Sequence, residues 1–480
     1  MWVSPSRWVT ASPRLDLPGK HAKLGSVKRR TQVAISAILA LGGIYLLADA
    51  FDLTPGVLTT RPIVATAEAY PTVQARSETQ AILPEFDSDA QIPDAAAVQS
   101  AIEAFQADDQ VTGGSSIEFV DTATGDVLGS SHADVARTPA SNTKLATAVV
   151  ALEKLGPATT FPTTTTLSGS TLYLVGGGDT LLASGAGDET AIKGRAGIGD
   201  LAEATAAKLS EQGVSEVSVA VDSSLFSGSL YSSEVTGVDT GYIMEMRPLA
   251  IMQSRNANNQ YTSNPDLQAG QALVDALVDL GISATLDGRA TSPSDASELA
   301  SVQSASVREL VDFMLTDSDN TTADVLGHLA SIATGGEGTF ESAGAQTVAS
   351  LADLGYDVAG VSLVDNSGLS ISNKLTTTIL VQVFDNLYTC DGCNLEAIAS
   401  GVPVMGLNGT LSDRSIGTVI AGKVHAKTGT LVTANALSGY LLTANGRLLT
   451  FSILVDGIEE GTTGLVRPVM DELLTTVAGL

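Results

Sequence analysis

The chain of 480 residues is long enough for two to four domains with ample cores, and its 44% hydrophobic but only 4% aromatic content marks a globular protein built from small aliphatic and hydroxyl side chains. Its formal net charge is −28 and unevenly spread: residues 1–50 hold seven Lys/Arg against Asp16 and Asp49, which leaves 18 basic and 51 acidic residues for the rest. So acidic a body is repelled by phosphate backbones and anionic lipid, which argues against nucleic acid as a partner and confines membrane contact to the N-terminal segment.

In that segment Lys28-Arg29-Arg30 precedes VAISAILALGGIYLLA, an uncharged run of 16 residues from Val33 to Ala48. It is short for a spanning helix and long for a signal-peptide core, and Ala48-Asp49-Ala50 fits a small-x-small cleavage site. Basic residues on its leading side place the N-terminus in the cytoplasm and the body outside. Residues 1–50 therefore read as a cytoplasmic basic segment with either a signal peptide or a membrane anchor. Residues 51–93, rich in Pro, Thr, Ala and acidic side chains without apolar periodicity, read as a flexible linker.

From 94 onward regular elements follow. DAAAVQSAIEAFQ (94–106) predicts an amphipathic helix, and SSIEFVDTATGDVLGSS two strands around a Gly-containing turn. TPASNTKLATAVVAL (138–152) predicts a helix, TLYLVGGGDTLL (171–182) a strand running into a Gly-rich loop, and helix and strand signals alternate through Asp222. Near the C-terminus ALSGYLLT and RLLTFSILVDG flank an Asn-Gly turn, a strong hairpin signal, and LVRPVMDELLTTVAG closes the chain as a helix. This order predicts an α/β (α+β) fold with a largely antiparallel sheet flanked by helices. Gly176-Gly177-Gly178 lacks the Gly-Lys-Ser/Thr ending of a phosphate loop. Cys390 and Cys393, outside a membrane, read as a small local disulfide; no second cysteine pair exists, the four histidines show no ligand spacing, and neither a metal site nor a cofactor is expected.

Three short motifs carry chemistry. In Ser141-Asn142-Thr143-Lys144, serine and lysine three apart share one helix face, so the lysine nitrogen can reach the hydroxyl. A lysine can take that proton only if desolvation or nearby positive charge lowers its pKa, and this one lies among small apolar helix formers. Ser318-Asp319-Asn320 places a hydroxyl and an amide two apart in a loop between helical runs; Ser254-Arg255-Asn256 has the same spacing. Lys427-Thr428-Gly429-Thr430 reads as a strand offering positive charge, hydroxyls for a carboxylate, and a glycine that admits a substrate backbone.

Serine-x-x-lysine, Ser-Asp-Asn and Lys-Thr-Gly, in that order, form the set found in penicillin-binding proteins and class A β-lactamases. From about Val111 to the C-terminus the sequence resembles the D-alanyl-D-alanine carboxypeptidase/endopeptidases of the penicillin-binding protein 4 (DacB-like, low-molecular-mass class C) family. LYLVGGGDTLL, RPLAIMQSRNAN and LVDNSGLSISNKLT resemble that family's Gly-rich loop, Pro-rich segment and Asp-Gly-Ser-Gly-Leu-Ser segment, and the second of these demotes Ser254. The resemblance implies a β-lactamase/transpeptidase-like catalytic domain over 94–480 with a helical subdomain and a reduced accessory insertion at about 163–265. It implies Ser141 as acylated nucleophile, Lys144 as its base, Ser318 as proton relay, Asn320 as ligand of the substrate amide and Lys427 as positive potential. Thr428, Gly429 and Thr430 would bind the terminal carboxylate side, with the N–H groups of Ser141 and Thr430 as oxyanion hole, and Asp239 would contact the peptide's diamino acid. Implied partners are peptidoglycan peptides and, as covalent inhibitors, β-lactams. The chain departs from the family in lacking a proline in the Gly-rich loop, in carrying Ile371 where a basic residue is common, and in the short stretch after Asn258. A β-lactamase or a non-catalytic cell-wall binding protein on the same fold are the alternatives; against the former, the Glu-x-x-x-Asn spacing of a second base is absent.

Overall fold

The computed structural model describes residues 87–390 and 392–480, all within the unit Ala81–Leu480. The expected basic segment, the apolar run and the linker through residue 86 lie outside the described residues. Helix α1 (Ala95–Gln106) buries Val98, Ala101, Ile102 and Phe105, the stripe its sequence spacing dictates. It leads into β1 (Gly114–Asp121) and β2 (Val127–Ser131), the predicted strand pair. These join the last three strands, β10 (Val424–Leu431), β11 (Ala434–Leu442) and β12 (Leu448–Asp456), in an antiparallel sheet of order β10-β11-β12-β1-β2. The strands β11 and β12 form the predicted hairpin, and Gly446 in its turn takes a φ of 86°.

Both faces of this sheet are covered, so its central strands are almost continuously apolar. Leu437, Leu441, Phe451 and Ile453 face α1 and the closing helix α10 (Thr463–Ala478). On the other side Ala436, Tyr440 and Leu454 meet a helical layer of α2 (Thr143–Val150), α5 (Val307–Thr316), α6 (Asn320–Ala333), α7 (Phe340–Asp353), α8 (Thr377–Thr389) and α9 (Glu396–Gly401). Every residue of α2 is buried, which is why its sequence is small and apolar. Cys390 and Cys393, just past α8, are disulfide-bonded with Cα atoms 5.7 Å apart.

Between α2 and α5 the chain builds a second layer. The strands β3 (Pro162–Ser168), β4 (Thr171–Gly176), β6 (Glu216–Asp222), β8 (Ser283–Arg289) and β9 (Ser297–Gln303) form a mixed sheet of order β8-β6-β4-β3-β9. Helices α3 (Ile198–Glu211) and α4 (Pro265–Asp279) pack on it through Leu201, Leu209, Leu273 and Leu277. A short parallel pair, β5 (Asp179–Leu182) with β7 (Leu249–Ile251), lies alongside in sequence. Pro162 pairs with Gln303, so the insert enters and leaves at one point. It runs to Gln303 rather than ending near 265. β8 and β9 are mostly polar and exposed, which leaves little apolar alternation to mark them.

Candidate active site

Ser141 lies in a 3-10 turn, Ala140–Asn142, and Lys144 in the first turn of α2. Ala140 adopts a left-handed φ of 47°, a strained setting for a residue with a Cβ. Two glycines allow the turn to be gripped. A Cβ on Gly368, whose φ is 82°, would stand 1.9 Å from the Ala140 carbonyl oxygen, and one on Gly429 would stand 2.7 Å from that of Pro139. Gly429 thus lets β10 press against the nucleophile's turn, a role its place in Lys-Thr-Gly did not suggest. Asn142, also unremarked in the sequence, donates from Nδ2 to Ser438 Oγ at 2.8 Å; that hydroxyl pairs with Ser452 Oγ, tying the turn to β11 and β12.

Lys144 is fully buried, with Nζ 3.0 Å from Ser141 Oγ, 2.7 Å from Asn320 Oδ1 and 2.6 Å from the Ser367 carbonyl oxygen. Three acceptors match an ammonium's three donors. Burial nevertheless outweighs the opposing pull of Asp324, Asp319 and Asp365 and lowers the lysine to about 8. Asn320 Nδ2 donates to the Tyr242 carbonyl at 3.0 Å, which fixes Oδ1 toward the lysine. A neutral amine retains two N–H groups, and Asn320 Oδ1 and the Ser367 carbonyl can only accept. Its lone pair is therefore left for the one neighbour able to donate, the Ser141 hydroxyl.

The Ser367 carbonyl is set in place by two buried carboxyl groups that sequence reasoning passed over. Asp324 Oδ1 accepts from the Asn366 N–H at 2.6 Å, and Asp365 accepts from the N–H groups of Gly368 and Ser370 and from Asn373 Nδ2. Burial, then the charge of Asp365, pushes Asp324 well above the usual carboxylate range; burial raises Asp365 as well. The available signal was Asp324 four residues after Asn320, on the same face of α6.

Ser318 occupies the loop between α5 and α6 with a φ of 57°. Asp319 caps α6, accepting from the Thr322 N–H at 2.7 Å, so the middle residue of Ser-Asp-Asn is architectural. Lys427, fully buried on β10, donates to Ser318 Oγ at 2.9 Å and to the Thr428 carbonyl at 3.0 Å. Burial, then Lys144, pushes it well below an ordinary lysine. Beyond it Thr428 Oγ1 pairs with Thr410 Oγ1 at 2.7 Å, and Thr430 Oγ1 donates to Asn435 Oδ1 while accepting from Arg467 Nη2 at 3.0 Å. Ser141, Ser318, Thr428, Gly429, Thr430 and Arg467 line one cleft of about 610 Å³, along the edge strand β10.

The structure thus joins Ser141, Lys144, Ser318, Asn320 and Lys427 with the Thr428–Thr430 strand. Asp239 lies half-buried in the turn Gly237–Tyr242, whose Tyr242 carbonyl is the one Asn320 holds, and its carboxylate has no partner among the described residues. Ser254 is paired with Thr262. No group of three or more His, Cys, Asp or Glu among the described residues is placed to hold a metal.

A serine whose hydroxyl touches a buried lysine, facing a second serine held by a second lysine, is the machinery of an acyl-transferring serine hydrolase. Comparison with known proteins names the family. The model of the D-Ala-D-Ala carboxypeptidase 3 (S13) family matches residues 98–264 and 259–477, and the chain belongs to that family. It is 33% identical over 420 residues to a carboxypeptidase of Mycobacterium tuberculosis, covering 84% of this chain and 87% of that one. It is 33% identical over 369 residues to carboxypeptidase DacB of Mycolicibacterium smegmatis, covering 74% and 78%. Among solved structures, penicillin binding protein 4 (dacB) of Haemophilus influenzae shares the fold with a TM-score of 0.65 at 18% identity, covering 80% of this chain and 100% of that one.

Proposed function

We propose that this protein is a serine-type D-alanyl-D-alanine carboxypeptidase that trims peptidoglycan stem peptides through an acyl-enzyme. The observation that carries the reading is the 3.0 Å contact between Lys144 Nζ and Ser141 Oγ, with the other two N–H directions taken by pure acceptors. Neutral Lys144 removes the hydroxyl proton as Ser141 attacks the carbonyl of the penultimate D-Ala. The N–H groups of Ser141 and Thr430 receive the developing oxyanion; such donors typically contribute about 100-fold or more in rate. The C–N bond breaks, Ser318 passes a proton to the departing D-Ala nitrogen from the Lys427 side, and water then hydrolyses the ester. Asn320 both orients Lys144 and offers its amide to the substrate. β-Lactams acylate the same serine.

A second reaction, on cross-linked peptides in which the leaving group is a whole stem, belongs to the same proposal, and the open cleft of about 610 Å³ around Ser141 leaves room for it. We also propose export, on the basic-then-apolar order of residues 28–48; no helix among the described residues is long and apolar enough to cross a membrane. The test is incubation with a diamino-acid pentapeptide and with a cross-linked dimer, following D-Ala and monomer by mass spectrometry beside Ser141→Ala. Release by wild type and none by the variant is expected; equal release by both would remove Ser141 as nucleophile.

A further inference from the structure

A carboxypeptidase must distinguish a free C-terminus from a blocked one, and the hydroxyls of the Lys-Thr-Gly-Thr strand are poorly placed to do so alone. Thr430 directs its O–H to Asn435 Oδ1 at 3.2 Å, and Thr428 is paired with Thr410. The lysines offer little more, since Lys144 and Lys427 are both fully buried with their N–H groups on internal acceptors. Of the arginines lining the cleft, Arg414 is spent on Asp471, with Nε at 2.8 Å and Nη2 at 2.7 Å from Oδ1. Arg467 differs. It projects from the early turns of α10, is exposed, lines the cleft that holds Ser141, and has no carboxylate partner among the described residues. Its one side-chain hydrogen bond among the described residues, from Nη2 to Thr430 Oγ1 at 3.0 Å, sets the guanidinium beside the substrate-binding strand and leaves the other four of its five N–H groups without a partner among those residues.

We propose that Arg467 is a specificity-determining residue that grips the free carboxylate of the departing D-amino acid, with Thr430 as its brace. The proposal rests on the carboxypeptidase reading above. A planar guanidinium matches a carboxylate fork to fork, a match neither an amide nor an ester terminus offers. Its position on α10, outside the three motifs, makes this selectivity separable from the acylation chemistry.

The experiment compares wild type, Arg467→Gln and Arg467→Lys on a D-Ala-D-Ala pentapeptide and on the same peptide ending in a carboxamide. Arg467→Gln is expected to lose about 10- to 100-fold in kcat/KM on the free acid and to change little on the amide, with Arg467→Lys in between. Equal loss on both peptides would mean a merely structural role and would overturn the proposal, as would no loss on either. A parallel arm measures acylation of Ser141 by benzylpenicillin and by its methyl ester, where the same selective loss is expected and its absence counts against Arg467. Should wild type acylate but release no D-Ala, the carboxypeptidase reading fails, and the penicillin arm alone decides whether Arg467 senses a carboxylate.

Discussion

Lys144 can take the Ser141 proton only while neutral, and burial holds its pKa at about 8. Acylation by a fluorescent penicillin is therefore expected to accelerate as pH rises and to reach half its plateau near pH 8; a rate constant flat across that range would dismiss the lysine as base. Negative charge on Asp324 favours the ammonium, so Asp324→Asn, which keeps an acceptor for the Asn366 N–H, is expected to move that midpoint to lower pH. Rapid-quench acylation against pH checks both. Ser141 and Lys144 were legible because three residues on one helical face bring the two groups together, whereas Ser318 and Asn320 were legible only through the order of the three motifs, their partners Lys427 and Lys144 lying 109 and 176 positions away. Ser367 was not, since it contributes a backbone carbonyl that any residue carries. Nor was Arg467, which meets Thr430 only because α10 folds back over a sheet edge 37 positions away in sequence.

Among the elements, the 3-10 turn bearing the nucleophile is held from two sides by glycines, and the two should differ in sensitivity. Gly368→Ala adds both a left-handed φ and a contact 1.9 Å from a backbone oxygen. It is expected to destabilise by about 1–3 kcal/mol in urea unfolding and to slow acylation by displacing Ala140. Gly429→Ala meets its nearest atom at 2.7 Å without strained φ and should do both more mildly; the reverse order would refute this account of the turn. Helices and hairpin were readable wherever one period dominated, as in α1 with its four buried positions and in the β11–β12 turn. The outer strands of the second sheet were not. In β8 every second residue is exposed and polar and the inward positions hold only Ala284, Leu286 and Gly288, while β9 is exposed at Ser297, Glu298, Ser301 and Gln303, so the apolar signal that reveals β4 and β6 is weak there.

For the molecule as a whole, the first and last parts of the catalytic sheet are locked by a buried ion pair. Arg447, at the turn into β12, donates to both oxygens of Asp121 at the end of β1, at 2.5 and 2.7 Å, and also reaches the Ser88 carbonyl. Arg447→Met leaves a buried carboxylate without its cation and is expected to cost about 3–5 kcal/mol, measured by urea unfolding, with the acylation pH profile unchanged in the protein that remains folded. Burial opposes the charge on Asp121, yet the Arg447 hydrogen bonds hold it below the usual range. Its contribution is thus fully present above the ordinary carboxylate pKa and lost as acid titrates it in the fold. The strand order β10-β11-β12-β1-β2 has a temporal consequence. The central partner of β1 is β12, roughly 335 residues later, so a nascent chain carries its reactive serine long before the platform behind it exists. Until the last hairpin emerges, neither Lys427 nor the edge strand can be in position, and a polypeptide interrupted anywhere earlier is born without the means to cut. The platform behind the nucleophile is therefore complete only once the final strands have been added to the sheet.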